Sequence, residues 1–328
     1  MDAFLFAAGA VLPIVLMVAL GYFLKRVNFI TDAFAKMANR LVFRVFLPAM
    51  LFLNVYNISD LGSVELGYVV YVIVALLLIF AAAVPAVLAV SRRPGARGAL
   101  LQAAFRSNYA LIGIPLAQSL CGAEGVAAAT LLMAVSIPLL NVLAVVSLSI
   151  FNQDGSRPSA KKIVMEVLRN PLIQGITAGL AALGIRAILV QAGVQFRLSD
   201  LTPLFKVLEY LSSVATPLAL LVLGAQFEFS AVASLKKEIL FGVLLRTAVV
   251  PLIGLGAAFL FFKEQFTGAH FSSFIAMFAT PVAVSSVPMA QEMNGDVTLA
   301  GQLVVWTTLL SAISVFLATF LLRLAGIF

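Results

Sequence analysis

The chain has 328 residues, of which 62% are hydrophobic and only 11% are charged. A water-soluble domain needs a larger polar share to wet its surface, so this composition excludes an ordinary soluble protein and predicts an all-α protein that crosses the lipid bilayer several times. The formal net charge of +7 is typical of basic loops beside a membrane, and no nucleic-acid partner is predicted from it.

The chain contains one cysteine, Cys121, and one histidine, His270. A single cysteine excludes an internal disulfide and a metal cage built from several cysteines. The sequence has no Ser/His/Asp, metal-ligand or phosphate-loop pattern, so we predict no enzyme activity, no metal and no cofactor. No signal peptide is predicted, because no small-residue cleavage site follows the first apolar stretch before Lys25.

Apolar stretches long enough to cross about 30 Å of hydrocarbon recur along the chain. We predict ten membrane-spanning helices, called spans 1 to 10. They cover residues 4–24, 35–57, 66–90, 97–121, 124–150, 163–185, 203–225, 234–262, 270–292 and 298–325.

The most polar connection, residues 151–162, separates residues 1–150 from residues 163–328. Each half has five predicted spans, and because five is odd the second half enters the membrane upside down. This predicts two inverted repeats joined by a cytoplasmic linker. Lysine and arginine favour alternate connections by fifteen to five, and such an excess is typical of the cytoplasmic side. Both termini are therefore predicted to be extracytoplasmic, in a multi-pass protein of the cell inner (plasma) membrane.

Spans 4 and 9 contain the same interruption in one register. Residues 106–118 and 279–291 match without gaps at their prolines, Pro115 and Pro288, and at the Ala-Gln pair that follows. The residue before a proline is pushed out of helical geometry, and proline has no N–H to donate to the preceding turn. Each helix is therefore predicted to open at this proline, helped by Gly113 in span 4 and by Pro281 in span 9.

Backbone groups freed by such breaks cannot face lipid, where each would cost several kcal/mol. Paired broken helices in two halves of one chain are typical of the substrate site of secondary transporters. Spans 4 and 9 run in opposite directions, so both half-helices after the breaks begin near the membrane centre with their positive N-terminal ends. This favours an anion, especially a carboxylate. The alternative is that the prolines only kink the helices.

The predicted substrate site combines the two breaks with one amide from span 5. It comprises Asn108, Tyr109, Gly113, Ile114, Pro115, Asn141, Pro281, Val282, Ser285, Ser286 and Pro288.

Two cations, Arg44 and Arg106, are predicted to attract an anion. Arg44 alternatively extends to the cytoplasmic face, and Asn141 alternatively forms a bond between helices. Arg246, five residues before Pro251, is either a further cation of the site or an anchor on the cytoplasmic side.

These residues resemble the auxin efflux carrier family, which includes the plant PIN-FORMED carriers and bacterial organic-anion permeases such as malonate carriers. Residues 108–116 are similar to the family's span-4 pattern of Asn, several apolar residues and Gly-x-Pro-Leu. Residues 170–172, 217–224 and 290–292 also resemble the family. The likeness covers essentially the whole chain.

The resemblance implies ten helices in two inverted repeats, with helices 4 and 9 unwound and crossed. It implies a scaffold domain from spans 1, 2, 6 and 7, a transport domain from spans 3–5 and 8–10, elevator-type alternating access and a homodimer. The family's span-4 asparagine, here Asn108, contacts the substrate carboxylate in the plant carriers. The chain departs from those carriers in its shorter central loop and in span 3, residues 66–90, which has no charged residue.

The leading prediction is a secondary transporter of a small organic anion, a mono- or dicarboxylate that is auxin-like or malonate-like. Two alternatives stay open. One is a sodium-coupled symporter of the bile-acid type, although no acidic cluster resembles a sodium cage. The other is a membrane sensor that binds an anion without transporting it.

Overall fold

The computed structural model describes residues 2–58, 66–152 and 158–328, and within those ranges the fold is all-α. The helices, numbered in chain order, are α1 Asp2–Arg26, α2 Asp32–Tyr56, α3 Leu66–Val90, α4 Pro94–Phe105, α5 Ile114–Ile150, α6 Ala160–Arg169, α7 Pro171–Gln191, α8 Thr202–Ala225, α9 Ala231–Phe262, α10 Gly268–Phe278, α11 Ser286–Glu292 and α12 Val297–Leu324. Five-residue π-helical segments occur in α2 (Val42–Phe46), before α5 (Tyr109–Gly113) and in α9 (Leu245–Val249).

Seven helical stretches of the described chain are long and apolar enough to cross a membrane. They are α2, α3, Tyr109–Ile150, α7, α8, α9 and α12. Large apolar side chains cover their outer surfaces, for example Leu78 (64% exposed), Leu252 (75%) and Leu260 (73%). Such surfaces need lipid contact, so the fold is that of a multi-pass membrane protein.

Seven of the ten predicted spans have both ends within three residues of helix ends in the described chain. Spans 4 and 5 instead meet inside α5, at its kink at Cys121 and Gly122. The predicted span 163–185 also differs. The side chain of Asn170 accepts the N–H of Leu172 at 2.9 Å, and Pro171 begins α7, so a new helix starts there. The amphipathic helix α6 is therefore separate from the span. It also contains the end of the predicted 151–162 linker, whose residues 153–157 lie outside the described ranges.

Spans 4 and 9 are broken, but not at the aligned prolines Pro115 and Pro288. Residues 106–108 separate α4 from the next helical segment, and residues 279–285 separate α10 from α11. Pro288 lies instead in the first turn of α11, where a missing N–H leaves no helical bond unmade. Pro115 lies at the start of α5, directly after the π-helical segment Tyr109–Gly113. The prediction that the helices open at Pro115 and Pro288 is therefore wrong, although Pro281 does lie inside the second opening. The openings lie earlier in the chain.

A sharp chain reversal follows each broken helix. In α5 the backbone leaves helical geometry at Cys121 and Gly122, and Gly122 has a φ of +56° that favours glycine. The chain folds back there, so that the Tyr109 hydroxyl donates to the carbonyl of Ala129 at 2.9 Å. In the second half, Asn294 takes the same φ of +56° between α11 and α12.

The two breaks cross and pair through their main chains. The N–H of Asn108 donates to the carbonyl of Pro281 at 2.8 Å, and the N–H of Ala283 donates to the carbonyl of Arg106 at 3.1 Å. These bonds form an isolated antiparallel bridge, and they satisfy backbone groups that the helix breaks would otherwise leave unpaired. Residues 106–108 and 281–283 are called the crossover below.

Candidate functional site

A cavity of about 130 Å³ lies against the crossover. One wall comes from the two breaks and from α5, and its polar members are Arg106, Ser107, Asn108, Asn141 and Ser285. The opposite wall comes from α2, α7 and α8. Its large apolar members are Leu47, Met50, Leu51 and Leu172, and its polar members are Asn54 and Thr216. The cavity therefore has one polar wall with a cation and one mainly apolar wall without charge.

The structure brings only some of the predicted site residues to this cavity. Those that line it are Asn108, Tyr109, Asn141, Ser285 and Arg106. Those that do not are Gly113, Ile114, Pro115, Pro281, Val282, Ser286, Pro288 and Arg44. Pro115 lines a separate apolar groove, and Arg44 lines a wider polar cavity of about 830 Å³.

Arg106 follows α4 directly, and its side chain is buried, with 3% of the residue exposed. Nη1 donates to Oε1 of Gln102 at 2.7 Å and contacts Sδ of Met289 at 2.9 Å, and Nη2 donates to Oδ1 of Asn141 at 3.0 Å. All these partners are neutral, and no described carboxylate forms an ion pair with Arg106. The cavity wall therefore holds an uncompensated positive charge, which is costly to bury.

Two amide side chains accompany this guanidinium. Nδ2 of the buried Asn108 has no acceptor among the described residues. Both polar atoms of Asn141 are engaged, because Oδ1 accepts from Arg106 and Nδ2 donates to the carbonyl of Ile137 at 2.9 Å. Asn108 thus has an unused donor beside the cavity, whereas Asn141 orients Arg106.

The second break is held by side chains from other helices. The N–H of Val282 donates to Oγ1 of Thr307 on α12 at 3.1 Å. Nε of Arg246 on α9 donates to the carbonyl of Thr280 at 2.7 Å. Since Arg246 is only 1% exposed, its interpretation as a cytoplasmic anchor is wrong. The sequence signal for Arg246 is a cation between apolar residues and near Pro251. For Thr307 it is the Trp-Thr-Thr run at residues 306–308 of span 10.

Four helix ends meet at the crossover. The first half-helices, α4 and α10, end there, and the next helical segments begin at Tyr109 and Ser286. Helix C-termini carry partial negative charge and N-termini partial positive charge, so the two kinds of ends oppose each other. Two negative C-terminal ends therefore accompany the two positive N-terminal ends from which an anion site is predicted. The positive sign of the cavity is set by Arg106.

The far end of α11 is fixed to α2 and α8. Nδ2 of Asn39 donates to Oε1 of Gln291 at 2.9 Å and to Oε1 of Gln226 at 2.8 Å. Beside these amides, Nε of Arg44 lies 3.0 Å from a carboxylate oxygen of Glu292, and the Arg44 side chain is 61% exposed. Arg44 therefore extends toward the surface and is paired. Asn39, Gln226 and Gln291 are called the amide clamp below.

A family model described as membrane transport protein matches residues 6–156 and 155–319, two segments that meet at the polar linker. The chain is also 24% identical over 322 residues to a protein of Methanothermobacter thermautotrophicus described as an uncharacterized transporter. That alignment covers 95% of this chain and 97% of the relative.

Proposed function

The chain belongs to the membrane transport protein family, and from that premise we propose that it is a secondary transporter of a small organic anion. The family match confirms the resemblance to auxin efflux carriers drawn from the sequence. The crossover cavity is the proposed substrate site.

The observation that carries the proposal is the unpaired charge of Arg106 on the cavity wall. A carboxylate entering the cavity would supply the missing negative charge through short, charge-assisted hydrogen bonds. The free Nδ2 of Asn108 would donate a further bond to the same group. Asn141 would act indirectly, since its amide already holds the guanidinium.

The shape of the cavity narrows the class of guest. A volume of about 130 Å³ is close to the ~150 Å³ of an engineered cavity that binds benzene, so it suits a guest of roughly six to ten non-hydrogen atoms. Leu47, Leu51 and Leu172 line the opposite wall, where the described residues include polar Asn54 and Thr216 but no cation. A second carboxylate there would be buried without a positive charge to pair with. We therefore favour a monocarboxylate with a compact apolar body over a dicarboxylate.

We propose ten spans in two inverted repeats and elevator-type movement of a transport domain. The two broken helices, the reversal after each and the division of the family match at the linker support the repeats. The cavity lies between the breaks with α5 on one side and α2, α7 and α8 on the other. Sliding between these two groups of helices would expose the guest to each side of the membrane in turn.

We further propose a plasma-membrane location, extracytoplasmic termini and a homodimer. The orientation rests on the lysine and arginine distribution. Arg106 and Arg246 are buried and no longer count as loop residues, which changes the ratio from fifteen to five into thirteen to five. The remaining excess still supports the same orientation. The dimer rests on the family resemblance.

Uptake into proteoliposomes tests the proposal. Labelled monocarboxylates from acetate to benzoate, and the dicarboxylate malonate, are offered to the wild type, R106Q and R186Q. Arg186 is the matched control, because it binds the carbonyls of Tyr56 and Ile58 (3.0 and 2.5 Å) away from the cavity. We expect R106Q to lose about a hundredfold in kcat/KM, since bonds to a charged group contribute about 1.5–3 kcal/mol each.

Other outcomes separate the alternatives. Wild-type activity in folded R106Q would refute the assigned site. Sodium-dependent uptake would favour the symporter, and saturable binding without flux would favour the sensor.

A further inference from the structure

Arg246 is a second buried arginine, and it does not line the cavity. We infer that Arg246 is a positioning residue, which fixes the second break and thereby holds Asn108 in place at the cavity. That Asn108 must be held at the cavity rests on the proposed function. The contacts by which Arg246 holds it are present without any substrate.

Arg246 binds the end of a helix. It lies in the π-helical segment Leu245–Val249 of α9, and it donates from Nε to the carbonyl of Thr280 (2.7 Å) and from Nη2 to the carbonyl of Met277 (2.9 Å). Carbonyls at a helix C-terminus lack N–H partners within the helix and carry partial negative charge. One guanidinium therefore satisfies two carbonyls of the second break.

This contact is transmitted to the cavity through the main chain. Thr280 is bonded to Pro281, and the carbonyl of Pro281 accepts the N–H of Asn108 at 2.8 Å. A displacement of Thr280 therefore displaces the acceptor that fixes the Asn108 backbone. The effect reaches the polar wall without any contact between Arg246 and a guest.

The burial of Arg246 argues for a role beyond packing. Its Nη1 has no hydrogen-bond partner among the described residues, and no described carboxylate pairs with the side chain. A buried charge with an unused donor destabilises the fold relative to a well-packed apolar residue. The forked guanidinium is retained where two carbonyls must be held at once, a geometry that lysine does not reproduce.

Hydrogen–deuterium exchange on the purified full-length protein provides a ligand-free test. In R246Q, we expect the amides of residues 106–108 and of residues 282 and 283 to exchange about tenfold faster, as expected when local opening becomes easier by the equivalent of one hydrogen bond. R246K should lie between R246Q and the wild type. In the control R186Q, faster exchange should appear near Tyr56 and Ile58 but not at the crossover. Unchanged or uniformly faster exchange in R246Q would overturn the inference.

A double-mutant cycle tests the route through Asn108. Equilibrium binding of benzoate is measured for the wild type, R246Q, N108A and R246Q/N108A. If Arg246 acts by positioning Asn108, R246Q should weaken binding about tenfold alone and less than about twofold in the N108A background. Additive losses of benzoate affinity in the double mutant would show that Arg246 does not act through Asn108. Absence of benzoate binding by the wild type would count against the proposed function, and the exchange pattern would then decide the role of Arg246.

Discussion

The two breaks are matched in sequence register but differ in chemistry. The first places Arg106 and Asn108 on the cavity wall, and Arg106 there has only neutral partners. The second consists largely of apolar residues and is held by Arg246 and Thr307 from other helices. One break thus presents polar groups to the cavity, and the other supports it. Repeated sequence in two halves of a chain does not require repeated function.

The reason is visible at the aligned positions. In the register that pairs Pro115 with Pro288, Arg106 falls opposite Ala279 and Asn108 opposite Pro281. Alanine and proline have no polar side chain to offer a ligand. Pro281 contributes only its carbonyl, which accepts the N–H of Asn108. What the two breaks share is their backbone course.

The largest effect on benzoate affinity is expected from N108D, which changes the polar first break. A carboxylate at this position lies on the same wall as Arg106 and would compensate its charge internally. We expect benzoate affinity to fall by about a hundredfold or more and thermal stability to rise, because a buried charge gains a partner. N108L, which removes the amide without adding charge, is the control and should lose less affinity. Unchanged affinity in N108D would remove Asn108 from the site.

A smaller effect, on stability, is expected from changing Thr307, which supports the second break. T307V removes the acceptor of the Val282 N–H, leaving a buried amide unpaired at a cost of about 1–3 kcal/mol. T308V is the matched control, because Oγ1 of Thr308 donates only to the carbonyl of Val304 in its own helix. Thermal unfolding in detergent should show a larger loss for T307V. Equal losses would show that Thr307 does not support the break.

A still smaller effect on the unfolding free energy is expected from replacing the aligned glutamines, Gln118 and Gln291. Gln291 belongs to the amide clamp, and its Nε2 also donates to the carbonyl of Lys36 at 3.1 Å. Its counterpart Gln118 is exposed. We expect Q291L to destabilise the protein by about 1–2 kcal/mol and Q118L to stay within about 0.5 kcal/mol of the wild type in the same unfolding assay. A reversed order would contradict the functional difference between the halves.

The least effect is expected from the prolines themselves. Pro288 lies in a first helical turn, and Pro115 follows the π-helical segment Tyr109–Gly113, which separates it from the first break. We therefore expect P115A and P288A to change the unfolding free energy by less than about 1 kcal/mol. Amide exchange at residues 106–108 should stay as in the wild type. If Pro115 caused the first break, alanine would let the helix continue and slow that exchange.

The helix positions were largely predictable, because runs of about 20 apolar residues and polar turns mark each span directly. The existence of two breaks was predictable from paired prolines, but their location was not. A proline is also compatible with the start of a helix, and local rules do not distinguish that case. Asn170-Pro171 shows the same ambiguity, since the pair ends α6 and begins α7.

The site was only partly predictable for a different reason. Asn108 and Asn141 are polar residues in apolar segments, and both line the cavity. The support from Arg246 to Thr280 and from Thr307 to Val282 joins residues 34 and 25 positions apart. The leucines of the opposite wall come from α2 and α7. Such neighbours are set by helix packing, which a single sequence does not specify.

The bridge between the breaks is made entirely of peptide groups, so its geometry is insensitive to which side chains surround it. Replacing Leu51 or Leu172 on the facing wall would resize the chamber while the frame that presents Arg106 stayed in place. A backbone-built frame of this kind allows one architecture to be retuned from one acid to another by a few substitutions. Swapping wall residues, rather than rebuilding the breaks, is accordingly the direct route to altered selectivity.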